Sequence, residues 1–297
     1  MRTALLISVA TALAARVGFA APTDKADKFA ALFGPYDLEL ISSEVVQTFR
    51  NYDAAPPPPT SSSTPAAPAA PAAPAAGNAA KHNSSTTTCG AFESAPADSP
   101  MYTAVTAVFV VPTVSPRPAF NWTRDPTVTP RIAVSAGIDG IECPEAVRAG
   151  IYATVFQNGT QQHVPFVEFS GRVYAVRIAT VAPGETVRVR VSIIQDDIVN
   201  IDWSNLNRTT EAFNKNVPTN SNMCGKAVSW FVEDLVPSKF APGDFFAAFE
   251  PVHFSLLEGS LIDGNTTRFD AATASFTTEN TLCRVDESGT EMIVTST

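Results

Sequence analysis

Short apolar segments separated by turn residues make up most of the chain from about residue 100 onward. In the segment ETVRVRVSII, Val187, Val189 and Val191 alternate with Arg188 and Arg190. Successive strand residues face opposite sides of a sheet, so this alternation is typical of a half-buried β-strand. Turn sequences such as QNGT and APGET separate such segments, and helical periodicity is scarce. The pattern predicts an all-β domain, built as a sandwich or a barrel.

One predicted strand, SWFVEDLVPS at residues 229–238, carries two adjacent acids, Glu233 and Asp234. Alternation places their carboxylates on opposite faces, so one of them lies on a face that should be apolar. Glu168 in PFVEFS and Asp139 in AGIDG also stand among apolar residues. An acid in this setting belongs either to a buried hydrogen-bond network or to a reactive cleft, and the pattern leaves both interpretations open.

The first residues have the pattern of a secretory signal. Arg2 precedes an apolar run from Ala4 to about Ala15, and small residues follow near Ala20. The run is too short for an ordinary transmembrane helix. We therefore expect residues 1–20 to be a signal peptide, the protein to be secreted and extracellular, and no membrane to be involved.

The next part of the chain differs in composition from the rest. Residues 55–80, which include APPPPTSSSTPAAPAAPAAPAAG, have little apolar surface to bury and are expected to be extended and disordered. The piece before them fits one amphipathic helix but is too small to fold alone. We interpret residues 21–85 as a pro-segment or spacer, and residues 86–297 as a single all-β domain.

Composition narrows the possible functions. The chain has 297 residues and a formal net charge of −9, which argues against nucleic acid as a partner because phosphate binding needs a basic patch. Its four cysteines are an even number, which favours two disulfides in a secreted protein. None of them forms a Cys-x-x-Cys pair, and the three histidines are scattered, so we expect no metal site and no cofactor.

Familiar catalytic motifs are missing, whereas glycosylation motifs are frequent. The chain has no Gly-x-Ser-x-Gly elbow, phosphate loop, dinucleotide fingerprint or Asp-Thr-Gly repeat. Asn-x-Ser/Thr sequons predict surface positions for glycans in a secreted eukaryotic chain. They begin at Asn83, Asn121, Asn158, Asn207 and Asn265.

Five segments, SAGIDG before Cys143, VAPGETVRVRV, WSNLNRTT, CGKAVSWFVEDL and FAAFEPVHFS, form an ordered set within about residues 89–258. The set resembles the fungal glutamic peptidases, the eqolisins. SAGIDG is similar to their Trp-Val-Gly-Ile-Asp-Gly segment, which also precedes a cysteine. CGKAVSWFVEDL is similar to the segment that contains their catalytic glutamate. Each match alone is weak, but their shared order makes the set fairly specific.

This resemblance implies a concanavalin-A-like β-sandwich of two large antiparallel sheets with an active site on its concave face. It also implies an acid endopeptidase in which a glutamate activates water and a glutamine amide binds the oxyanion. Glu233 matches the glutamate, and we expect it to face the cleft while Asp234 faces the other side. The resemblance implies that Cys143 pairs with Cys224, which would leave Cys89 to pair with Cys283. The alternatives are the two other connectivities, or free thiols at Cys89 and Cys283.

Two departures from the family pattern concern the site itself. Alignment on Gly150 puts Arg148 where the family has its glutamine, and Ser135 replaces the family tryptophan. An arginine can donate to an oxyanion, but its ion pair with Glu233 could occupy the place of the attacking water. We regard Ser135, Asp139 and Glu168 as candidate substrate-binding residues.

Two functions therefore remain open for this chain. One is an acid endopeptidase that acts on a polypeptide substrate. The other is an inactive relative that binds peptide or carbohydrate in the groove of the sandwich. In either case we expect a monomer.

Overall fold

The computed structural model describes residues 38–42, 81–83, 88–95, 101–123, 129–141, 143, 145–169, 172–176, 179–219, 222–234, 245–270, 274–277, 282–288 and 290–297. Within these ranges the regular secondary structure is β-strand, and no helix there is suited to crossing a bilayer. The predicted signal peptide and most of the predicted spacer lie outside the described residues.

Nineteen strands follow one another in the described ranges. They are β1 (Leu38–Ser42), β2 (Lys81–Asn83), β3 (Thr88–Ser94), β4 (Tyr102–Val110), β5 (Val114–Ser115), β6 (Arg131–Asp139), β7 (Ala146–Val155), β8 (Gln161–Phe169), β9 (Arg172–Val176), β10 (Thr186–Gln195), β11 (Ile198–Asn205), β12 (Ala212–Pro218), β13 (Ala227–Glu233), β14 (Ala248–Phe249), β15 (Val252–Leu261), β16 (Thr266–Arg268), β17 (Ser275–Thr277), β18 (Cys283–Ser288) and β19 (Glu291–Ser296).

These strands form two large sheets. The first has nine strands in the order β1, β9, β8, β7, β6, β13, β3, β17 and β2. The second has the order β12, β11, β10, β4, β15, β19 and β18, with β16 also paired to β15. Pairing in both is antiparallel apart from β2 with β17, and the small strands β5 and β14 pair separately. Neither large sheet closes into a barrel, which confirms the predicted β-sandwich.

The core lies between the two sheets and is built from β-branched and aromatic side chains. On β13, Val228, Trp230 and Val232 all belong to this core. Burying such side chains stabilises the fold by about 25 cal/mol per Å² of apolar area removed from water. Trp230 also donates its indole Nε1–H to the carbonyl of Thr106 on β4, at an N···O distance of 3.2 Å, which links the two sheets. The intervening residues of β13 therefore face the outer side of the nine-stranded sheet.

Two disulfides connect distant parts of the chain. Cys89 on β3 is bonded to Cys283 on β18, which joins the first sheet to the second. Cys143 is bonded to Cys224. This is the connectivity that the family resemblance implied, and it is confirmed.

The predicted N-terminal spacer contributes strands to both edges of the nine-stranded sheet. At one edge, β1 pairs antiparallel with β9, with Leu38 opposite Val176. At the other edge, β2 pairs parallel with β17. Residues 38–42 and 81–83 are therefore part of the sheet, and the boundary placed at residue 86 stays a prediction.

Candidate active site

The outer face of the nine-stranded sheet gathers the candidate catalytic residues. Glu233 on β13, Ser135 on β6 and Arg148 on β7 each follow a core residue of their own strand, so all three face outward. The core residues concerned are Val232, Val134 and Val147. On β8, Glu168 pairs directly with Arg148 across the strands. Four strands that are neighbours in the sheet thus bring four polar side chains to one face.

Arg148 lies between two carboxylates. Its Nη1 is 2.5 Å from Oε1 of Glu233, and its Nη2 is 2.6 Å from Oε2 of Glu168. The hydroxyl of Ser135 donates to the same Oε1 of Glu233 at 3.1 Å. None of these residues is more than 3% exposed. The four side chains therefore form one buried network, which we call the Glu–Arg–Glu network.

Small residues make room for the arginine. Arg148 pairs with Gly137 across β6 and β7, and a methyl group on Gly137 would overlap the Cγ of Arg148. Ser135, two residues away on the same face of β6, is also small. A tryptophan at position 135 would compete for the space that the guanidinium uses. The two departures from the family motif, Ser135 and Arg148, are therefore linked through space.

Burial and charge act in opposite directions on this network. Burial by itself lowers the pKa of Arg148, but the neighbouring carboxylates of Glu168 and Glu233 outweigh it and raise that pKa. Burial raises the pKa of Glu168, the Arg148 charge partly offsets this effect, and the charges of Glu233 and Glu145 add to it. Glu168 therefore binds a proton more readily than an ordinary glutamate does.

Asp139, a candidate substrate-binding residue, binds the backbone of the segment before β13. Its carboxylate accepts hydrogen bonds from four consecutive backbone N–H groups, those of residues 224–227, at N···O distances of 2.6–3.4 Å. These contacts hold the segment that leads into β13, and a role of Asp139 in binding substrate stays a prediction. Cys143 and Cys224 lie near enough to Asp139 for a metal site to be considered, but their disulfide leaves no thiolate to bind an ion.

Asp234 was expected to face the side opposite Glu233, but its carboxylate contacts Arg131, which lies on the outer face of β6. β13 ends at Glu233, and Oδ1 of Asp234 lies 3.1 Å from Nε of Arg131 on β6. The charges of both residues act on Tyr152, whose pKa is raised to about 12 chiefly by burial. Sequence reasoning did not single out Arg131 or Tyr152, because only the pairing of β6 with β7 and β13 brings them next to Asp234.

The described sequons lie at the surface. Asn121, Asn158, Asn207 and Asn265 are all exposed and lie outside the strands. At Asn158 the side-chain oxygen accepts hydrogen bonds from both the backbone N–H and the hydroxyl of Thr160. Asn83 is in β2, and its side chain is outside the described residues. Glycosylation stays a prediction at all of these positions.

A two-sheet sandwich with a buried glutamate on the outer face of one sheet agrees with the arrangement that the family resemblance implied for a glutamic peptidase. The chain belongs to the Peptidase A4 family, whose model matches residues 86–296. This match confirms the family that the ordered motifs suggested. No match is found among curated proteins.

Solved structures show the same fold at low sequence identity. A crystal structure of scytalido-glutamic peptidase with a transition state analog inhibitor is 18% identical, with a TM-score of 0.57. A structure of SCP-B, a member of the eqolisin family in complex with the tripeptide Ala-Ile-His, is 19% identical, with a TM-score of 0.54. Each comparison covers 71% of this chain and 98% of the other chain.

The raised pKa of Glu168 predicts an unusual dependence of stability on pH. A carboxyl with a raised folded-state pKa contributes stability fully below its unfolded pKa, and this contribution is lost as pH rises through the folded pKa. The ordinary value for Glu168 is 4.5. We therefore expect the unfolding free energy of wild type minus that of Glu168→Gln to fall as pH rises from about 4 to about 7. Urea denaturation of both proteins measures this difference.

Glu185 provides the control for that prediction. Burial is the largest single effect on the pKa of Glu185 and raises it, but the hydrogen bonds from the Ala182 N–H, Asn205 and Arg208, together with the charge of Arg208, outweigh burial and lower that pKa overall. The unfolding free energy of wild type minus that of Glu185→Gln should therefore stay level or rise over the same pH range. A Glu168→Gln difference that also rises would contradict the prediction.

Proposed function

We propose that this protein is a secreted acid endopeptidase of the glutamic type. Glu233 activates the attacking water, and Arg148 takes the place of the family's glutamine amide as the donor to the oxyanion. Polypeptide is the proposed substrate, because the similar structures are described with a peptidase transition state analog and with a tripeptide. The predicted signal peptide supports secretion.

The proposal rests on the contact between Arg148 and Glu233. The N···O distance of 2.5 Å places a cationic donor directly beside the carboxylate that would act as base. Preorganised donors of this kind stabilise the negative charge that develops on a carbonyl oxygen in acyl transfer. The Ser135 hydroxyl, which donates to the same oxygen of Glu233, fixes the position of that carboxylate.

An acid digestion assay tests the proposal. Purified protein is incubated with a denatured polypeptide between about pH 2 and about pH 7, and the fragments are identified by mass spectrometry. We expect cleavage at acidic pH that a pepstatin-type inhibitor does not block. Glu233→Gln should lower the rate by at least about 100-fold, as expected for loss of a general base.

A surface glutamate provides the matched control for this assay. Glu250 is exposed and lies just before β15, so Glu250→Gln should keep the wild-type rate. If wild type and Glu233→Gln are equally inert over the whole pH range while both stay folded, the proposed function is wrong.

The burial of the same contact favours a second candidate function. Arg148 and Glu233 are each only 2% exposed. Because the Glu233 carboxylate is already bound to Arg148, a water molecule that Glu233 would have to activate has little room beside it. A chain with this feature would be an inactive relative that binds peptide or carbohydrate without cleaving it. Isothermal titration calorimetry with an unlabelled peptide or oligosaccharide measures binding. If the ligand binds and is recovered intact, the protein is the inactive binding relative and not the peptidase.

A further inference from the structure

The loop between β5 and β6 carries two aromatic side chains that lie outside the core. Residues 116–123, which we call the aromatic loop, have the sequence PRPAFNWT. The rings of Phe120 and Trp122 meet edge to face, with a centroid distance of 4.8 Å. Both side chains are half-buried, whereas Trp203 and Trp230 belong to the core. The loop therefore presents an aromatic surface that the packing of the two sheets does not use.

This loop lies at the end of β13 that carries Glu233. The Phe120 ring centroid is 6.2 Å from that of Phe245, and the guanidinium carbon of Arg131 lies 5.8 Å from the centre of the Phe245 ring. The Arg131 backbone N–H also donates to the Phe245 carbonyl oxygen, at an N···O distance of 2.8 Å. Nε of Arg131 in turn binds Asp234, the residue after Glu233. Continuous contacts thus lead from the aromatic loop to the candidate base.

Arg117 holds the aromatic loop in place. Its Nε donates to the Phe246 carbonyl oxygen at 3.0 Å, and its guanidinium lies 5.7 Å from the centre of the Phe246 ring. Its Nη1 donates to the carbonyl oxygen of Thr297 at 3.0 Å, and its Nη2 donates to that of Leu282. The Arg117 carbonyl oxygen accepts from the Phe120 N–H at 2.9 Å. Because these bonds order the loop before a ligand arrives, binding there has a small ordering cost.

We propose that Phe120 and Trp122 form a subsite for an apolar side chain of the bound polypeptide, an inference that rests on the proposed function. Ala133 pairs with Glu233 across β6 and β13, and Arg131 lies two residues further along β6. A strand rises about 3.3 Å per residue. An extended peptide that reaches the aromatic loop therefore does so at least two residues from the bond beside Glu233.

The chemistry of the loop favours an apolar side chain over an acidic one. The guanidinium of Arg117 is directed at three backbone carbonyls, and that of Arg131 is paired with Asp234. The surface left for a ligand is that of the two rings. Contact between these rings and an apolar or aromatic side chain removes apolar surface from water on both partners.

A matched pair of peptides tests the subsite through cleavage at acidic pH. Both consist of about twelve alanine and serine residues, and one carries a single phenylalanine near its middle where its twin carries asparagine. Glycans are first removed enzymatically, because Asn121 is a predicted glycosylation site between the two rings. Wild type should cleave the phenylalanine peptide at least two residues from the phenylalanine. Its kcat/KM should be about 10–100-fold above that of the twin, chiefly through a lower KM.

Variants of the two rings show whether they carry this preference. Trp122→Ala and Phe120→Ala should each lower kcat/KM for the phenylalanine peptide by about tenfold or more, and change that of the twin by less than about threefold. Trp122→Phe keeps a ring and should retain most of the preference. Ile262→Ala is the matched control, because it removes a large apolar side chain that is 60% exposed after β15. A merely structural role of the rings would lower both rates equally.

Tryptophan fluorescence provides a binding readout that needs no turnover. The chain has three tryptophans, and Trp203 and Trp230 are at most 1% exposed, so acrylamide should quench chiefly Trp122. In Glu233→Gln, the phenylalanine peptide should reduce this quenching. The twin should need an at least about tenfold higher concentration for the same effect.

The outcomes separate the subsite from the proposed function. If wild type cleaves both peptides equally well, or Trp122→Ala lowers both rates equally, the subsite is wrong and the peptidase function stands. If wild type cleaves neither peptide but phenylalanine shields Trp122 better than asparagine does, the peptidase function is wrong and the subsite stands. Without cleavage or shielding, both are wrong. If an alanine variant does not fold, as its urea midpoint shows, the peptide pair and the quenching of Trp122 still decide.

Discussion

Replacing Arg148 with glutamine lowers the free energy of unfolding near neutral pH by about 3–5 kcal/mol, the range found when one partner of a buried ion pair is removed. The size follows from the position of Arg148 between two carboxylates that are themselves buried. Without the guanidinium, Glu168 and Glu233 must either stay charged in an apolar setting or take up protons. The loss should therefore be smaller at acidic pH, and urea denaturation at both pH values measures it.

A surface arginine shows what the same substitution costs without burial. Nη2 of Arg188 lies 3.5 Å from Oδ2 of Asp202, and the Arg188 side chain is 44% exposed. Arg188→Gln should change the free energy of unfolding by less than about 1 kcal/mol, as is usual for exposed pairs. If Arg148→Gln cost no more than this at neutral pH, the Glu–Arg–Glu network would not be the buried structure described above.

Replacing Asp139 with asparagine lowers the free energy of unfolding by about 2–5 kcal/mol, because backbone donors that it now satisfies lose their acceptor. The aspartate accepts from four backbone N–H groups with two oxygens, whereas an asparagine has one oxygen and would turn an NH₂ group toward the others. Its φ of 63° is one that asparagine tolerates well, so backbone strain does not contribute. Thermal and urea unfolding measure the loss.

An exposed turn provides the comparison for Asp139. Asp263 accepts one hydrogen bond from the backbone N–H of Asn265 and one from the side-chain amide of the same residue, and it is exposed to water. Asp263→Asn should therefore cost less than about 1 kcal/mol. If the two substitutions had equal effects, the four hydrogen bonds would not account for the stability of the segment before β13.

Much of the architecture follows from local sequence pattern. Alternating residues such as Val187, Arg188 and Val189 predicted strands, because a strand's faces are fixed by its two-residue period. The ordered motifs identified the family, and with it came the sandwich and both disulfides. Glu233 stood out in the sequence as an acid within an apolar strand. Its outward orientation on β13 follows from the same alternation that buries Val232.

Contacts between side chains were decided only by the tertiary structure. Arg148 and Glu233 are 85 residues apart in the chain, and the family motif suggested their proximity, but the bridge to Glu168 requires the register of β7 against β8. The same dependence on register explains why Arg131 next to Asp234 was not foreseen.

The sequence by itself determined which residues form strands, which face of each strand is apolar and which family the chain resembles. Those properties depend on the local period of the chain and on short motifs. The tertiary structure alone decided that Asp139 holds the backbone before β13 and that Glu168 shares Arg148 with Glu233. Strand order and register bring together residues that are far apart in the sequence, and the charge and burial of each carboxylate depend on those neighbours.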